Sequence, residues 1–173
     1  MPQPIDFRTL SLKDALDLAI LIEEEARERY EEFVDQLELH HTREAADFFR
    51  HMAVNETKHG EDLSARRQEL FGNAPRVVTR AMLWDVEAPE YDQARVFMSA
   101  RHAMEVALDA ETKARTFFEG ALPHLTDPEV KALFQELRDE EVEHQDLVKA
   151  HLAKLPPDSG VSPEDFADEP VGH

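Results

Sequence analysis

Cysteine is absent from this 173-residue chain, which excludes disulfides, cysteine-bound iron–sulfur clusters and thiolate zinc sites. No apolar run approaches the roughly 20 residues needed to cross a bilayer. The opening, MPQPIDFRTL, has no basic stretch followed by an apolar one, so no signal peptide is read there. A cytoplasmic protein without membrane contact is therefore expected. Basic residues are also scarce, with 19 Lys and Arg against 38 Asp and Glu, for a net charge of −19. That balance argues against nucleic acid as a partner, because phosphate recognition needs clustered Lys and Arg. The acidity itself suits a cation-attracting surface and an ordinary solubilising one equally well.

Proline is missing between 5 and 74, between 90 and 122, and between 129 and 155. Within those stretches apolar residues recur at helical spacing. A first helix is expected from Ser11, an N-cap with Asp14 three residues on, to about Leu39. Its stripe is Leu12, Leu16, Ala19, Ile20, Ala26, Tyr30, Val34 and Leu37. A second, capped by Thr42, is expected to run to about Phe71 before Gly72, and a third over about 90 to 122. The fourth opens at TDPE and ends near Leu155, ahead of Pro156 and Pro157. The expected fold is thus all-α, a four-helix bundle over residues 1–155. Residues 156–173 form an acidic, proline-containing tail expected to be mobile.

What is present inside the stripes is less usual. Glu23 sits in the middle of the first, Glu56 and His59 in the second, Glu111 in the third, and Glu141 with His144 in the fourth. The order Glu, Glu-x-x-His repeats, with 33 residues from Glu23 to Glu56 and 30 from Glu111 to Glu141. EEEARERYEEF also resembles ETKARTFFEGA when Glu23 is set on Glu111. The chain reads as two pseudo-symmetric helical hairpins. A two-fold axis across the bundle would make the third helix parallel to the second, so their connection must travel the bundle's length, roughly 40 Å for a helix of this size. Residues 72–89 are long enough to do so, reaching roughly 60 Å when extended.

The same axis gathers the six polar residues into one layer. Four carboxylates in an apolar interior repel one another and lose hydration. Two divalent cations balance four carboxylates, and an oxygen-plus-imidazole donor set suits iron or manganese. A lone Glu-x-x-His is weak, since about one is expected by chance in a chain of this composition. The copy at Glu38 and His41 lies roughly 22 Å along the helix from Glu23 and cannot join the layer. Two copies on apolar stripes, each preceded by a lone Glu on another stripe, are far more specific.

These residues resemble the ferritin-like di-iron family, and within it the rubrerythrins, especially erythrins without a rubredoxin part. The resemblance covers about residues 11 to 155 and is carried by IEEEARERYEEF and the two Glu-x-x-His motifs. It implies a ferritin-like bundle with a long crossover connection and a centre of two iron ions, with manganese or mixed-metal occupancy using the same residues. Glu23, Glu56, His59, Glu111, Glu141 and His144 would be the metal ligands. Glu56 and Glu141 would bridge and Glu23 and Glu111 would be terminal, and these four glutamates would be the catalytic residues. Tyr30 would hydrogen-bond a ligand carboxylate from outside that set, although its position equally suits a plain core aromatic. The implied activity is oxidation of Fe(II) with oxygen or hydrogen peroxide, with an external electron donor if peroxide is reduced. A homodimer is implied as well, exchanged helices being one form of it.

The sequence departs from the rubrerythrin pattern at one point. Rubrerythrins carry a further third-helix Glu three residues from the first ligand, where this chain has Leu108 and Ala114. The six-ligand set is in that respect like bacterioferritin. No haem is expected, because Thr57 stands where the haem-binding Met of bacterioferritin would be. Two other readings compete: an iron-storage mini-ferritin or bacterioferritin-like protein, and a metal-free helical interaction module with a salt-bridged layer. In the last, Arg27 and Arg115 would pair with Glu23 and Glu111, four residues before each. Trp84 is a candidate dimer anchor.

Overall fold

The computed structural model describes residues 4–39, 43–83 and 99–155. It contains four long helices: α1 Leu12–Leu39, α2 Arg43–Phe71, α3 Ala100–Ala121 and α4 Pro128–Lys154. Short 3₁₀ turns lie at Arg80–Leu83 and Leu122–His124. There is no strand among the described residues, and no described helix is long and apolar enough to cross a membrane. The expected Thr42 cap, Trp84, the first residues of the expected third helix and the tail lie outside the described residues.

The helix ends follow local chemistry. The Asp14 N–H donates to Ser11 Oγ at 3.1 Å, which starts α1 where the sequence places it. Gly72, at φ 54°, adopts the left-handed turn that stops α2. At α4, Asp127 Oδ1 accepts from the Glu129 N–H at 2.8 Å, with Pro128 at the first helical position. The third helix differs from expectation. Ser99 has extended backbone and accepts the His102 N–H at 3.1 Å, so α3 begins at Ala100 rather than near residue 90. A side chain bonded to the free N–H groups of the first turn fixes a start that the absence of proline alone could not.

Cross-helix contacts give the topology. Asp17 meets Arg67 and Glu38 meets Arg50, so α1 and α2 are antiparallel. Arg101 reaches the Leu155 carbonyl and Arg115 the Gln145 side chain, so α3 and α4 are antiparallel too. Arg66 pairs with Glu136 and Phe48 packs on His151, which sets α2 antiparallel to α4 and therefore parallel to α3. The crossover connection begins as the symmetry demands, by climbing α1. Lys13 Nζ donates to the Pro75 carbonyl at 2.8 Å, and Arg80 forks onto Glu28 at 2.8 and 2.9 Å. Leu83 is buried at the top of this climb.

Two apolar clusters fill the bundle. One holds Leu16, Leu18, Ile20, Phe118, Phe134 and Leu137, the other Tyr30, Phe33, Phe49, Met52, Met104 and Val148. Glu23, Glu56, Glu111, Glu141 and His144 are buried between them. The polar layer divides the core in two.

Candidate metal centre

Each helix contributes to that layer from mid-span. Glu23 on α1, Glu56 on α2, Glu111 on α3, and Glu141 with His144 on α4 are all at most 5% exposed. His59 on α2 is the exception, with a quarter of its side chain exposed. Spacing of i, i+3 puts the Glu and His of α2, and those of α4, on one face of their helix.

Two trios of potential ligand atoms result, each with all atoms within 4.8 Å of one another: Glu56, Glu111 and His144, and Glu23, His59 and Glu140. His144 Nδ1 is 3.2 Å from Glu56 Oε1, 3.4 Å from Glu111 Oε2 and 3.8 Å from Glu141 Oε2. His59 Nδ1 is 3.9 Å from Glu23 Oε2 and 3.6 Å from Glu140 Oε2. The two imidazole rings stack, 5.6 Å between centroids and 10° from parallel. All six residues singled out in the sequence thus share one layer, although Glu141 belongs to neither trio. Glu140, which is not among those six, occupies the place beside His59. Its signal was present: Glu140 precedes His144 by four residues and so shares its side of α4.

The electrostatics are those of a cluster that seeks positive charge. Burial works against the His144 imidazolium, but its contact with Glu111 and the charges of Glu56, Glu111 and Glu140 prevail and push it up to about 9. Burial likewise pushes Glu111 up, yet its contacts with Glu141 and His144, with help from the His144 and Arg29 charges, hold it below the usual carboxylate range. Glu140 is raised, by burial first and then by the charges of Glu136 and Glu56, against the pull of His59 and His144. Arg29, buried on α1, is a second residue that sequence reasoning passed over.

The residues fit a divalent cation on structural grounds. Glu56 Oε1, Glu111 Oε1 and His144 Nδ1 are buried and make no hydrogen bond among the described residues. Leaving such an atom unsatisfied costs about 1–3 kcal/mol, more for charged groups, and a bound cation removes the cost. Carboxylate and imidazole donors without thiolate suit iron or manganese.

The arginines of the salt-bridged reading point elsewhere. Arg27 lies 3.8 Å from Glu31, and Arg115 pairs with Glu119 at 2.9 Å and donates to Gln145 at 3.1 Å. The Tyr30 ring is fully buried and stacks on Phe49, while its hydroxyl makes no hydrogen bond among the described residues. The expected bond to a ligand carboxylate is not formed.

Residues 14–152 match the family model described as Rubrerythrin. A search of the curated proteins found no match. Among solved structures, the chain is similar to an uncharacterized conserved protein from Magnetospirillum magnetotacticum MS-1, at 32% identity and a TM-score of 0.72. That likeness covers 88% of this chain and 100% of the other.

Proposed function

The chain belongs to the rubrerythrin family of ferritin-like di-iron proteins, and from that premise we propose that it is a di-iron carboxylate oxidoreductase that oxidises Fe(II) with oxygen or hydrogen peroxide. The observation that carries this reading is the pair of carboxylate–imidazole trios stacked in one layer between two apolar clusters. Glu23, Glu56, His59, Glu111, Glu141 and His144 would hold the metal pair. When bound, two irons supply two electrons for reduction of the oxidant.

The rest is done by the chain. The buried carboxylates give a fixed negative field matched to two divalent ions, so little reorganisation is needed on loading. Leu137, Val148, Phe118 and Phe49 belong to the clusters on either side of the layer and keep bulk water from its two ends. In the metal-free state the His144 proton supplies part of the missing positive charge, and metal binding must displace it. Electrons beyond those of Fe(II) itself come from a separate donor, because the chain has no cysteine to hold a relay of its own.

An anaerobic Fe(II) titration of metal-free protein tests the proposal. Saturation at two irons per chain is expected, lost in the double variant Glu56→Ala with Glu141→Ala, and oxygen or peroxide should then oxidise the loaded wild type. Absence of binding by correctly folded protein would overturn it.

A further inference from the structure

The two hairpins are related by sequence, yet the two halves of the layer differ in one respect that bears on traffic of ions. The half built on Glu56, Glu111 and His144 is closed, its side chains at most 5% exposed. The half built on Glu23, His59 and Glu140 is open, with 27% of the His59 side chain and 25% of Glu140 exposed. Setting Glu141 on Glu56 and His144 on His59 places Glu140 on Asn55. A carboxylate on one side thus answers to a neutral amide on the other.

Glu140 is also available in a way its neighbours are not. One turn earlier on α4, Glu136 is held by the Arg66 guanidinium at 2.7 and 3.1 Å. Glu140 faces His59 Nδ1 instead, at 3.6 Å, on the rim where α2 and α4 meet. A carboxylate there can take hold of a hydrated cation while still facing water, then pass it to Glu23 and His59. The quarter-exposed position lowers the dehydration cost of the first contact, which a buried ligand would impose at once.

We propose, on the footing of the dinuclear reading above, that Glu140 is a seventh ligand and makes the Glu23–His59 half the exchange position, through which a divalent ion enters and leaves the centre. The Glu56–Glu111–His144 half is the retained position. With Glu140 the open half, like its twin, presents two carboxylates and an imidazole, but it does so at the water-facing rim.

Co(II) binding to the full chain under anaerobic conditions tests this, read by the visible absorption of the ion and by its removal with excess EDTA. Wild type is expected to take two ions per chain and to release them in two phases. Glu140→Gln, whose folding is checked by helical circular dichroism, is expected to weaken the fast-releasing ion about ten-fold, a difference of about 1.4 kcal/mol, and to leave the slow one unchanged. Unaltered binding of both ions in Glu140→Gln, or an equal loss of both, would overturn the assignment of the exchange position while leaving the centre itself intact. Failure of the wild type to bind two ions would overturn the dinuclear reading and this inference with it.

Discussion

Asp17 on α1 is wholly buried and is met by Arg67 of α2, Nε to Oδ1 at 2.8 Å and an Nη to Oδ2 at 3.3 Å. The same guanidinium donates to the Gly72 carbonyl at 2.7 Å and to that of Ala74. One side chain therefore fastens the first hairpin to the start of the crossover connection. Truncating one partner of a buried pair leaves a charge without compensation, at a cost of about 3–5 kcal/mol. Arg67→Ala should fall at the lower end of that range, because Lys13 and Arg76 lie within 3.5 and 3.8 Å of Asp17. Denaturant unfolding of Arg67→Ala, Asp17→Leu and the double variant checks it, with the double variant more stable than the sum of the singles implies.

The two histidines should respond differently to removal. In the metal-free protein, His144→Ala strips the positive group from between Glu56 and Glu111 and should cost about 3–5 kcal/mol. His59→Ala removes a quarter-exposed ring and should cost under about 1 kcal/mol. Equal losses measured in the presence of chelator would refute the closed and open description of the two halves.

Metal-free protein should lose stability with rising pH. The folded His144 titrates at about 9 against an ordinary value of 6.5. A raised histidine contributes stability that is complete below about 6.5 and disappears as pH rises through about 9, a change on the order of 3 kcal/mol. His144→Gln should flatten the slope across that window, and so should saturating metal. A slope that persists in His144→Gln would show that another group is responsible.

Tyr30→Phe should leave the metal-free fold at least as stable as wild type, with a gain of up to about 1 kcal/mol. Its hydroxyl is buried without a hydrogen bond among the described residues, so removing it relieves an unmet demand. A clear loss of stability would mean that the hydroxyl bonds a partner after all.

Much of the bundle could be read directly from residues. Apolar spacing located the four helices, and Ser11, Gly72 and TDPE marked three of their ends because each carries a specific backbone or side-chain signal. The beginning of α3 was misplaced, since nothing before Ser99 forbids a helix and only the cap says where it starts. The six layer residues were legible because polar groups on an apolar stripe demand an explanation. Glu140 was not, because a carboxylate inside RDEE looks like any solvated charge until α2 is seen to bring His59 against it. Arg27 and Arg115 show the converse. Their i, i+4 spacing to a glutamate was real in both directions along the helix, and long side chains chose the exposed partners, Glu31 and Glu119.

The split core has a consequence for how this chain can change. Among the described residues, its two apolar halves are separated by a band of carboxylates and imidazoles, so a volume change in Phe134 has few direct routes to Phe49. Repacking at one end is therefore largely insulated from the other. Each hydrophobic half can drift in sequence at its own pace while the shared middle, which both depend on for alignment, stays fixed.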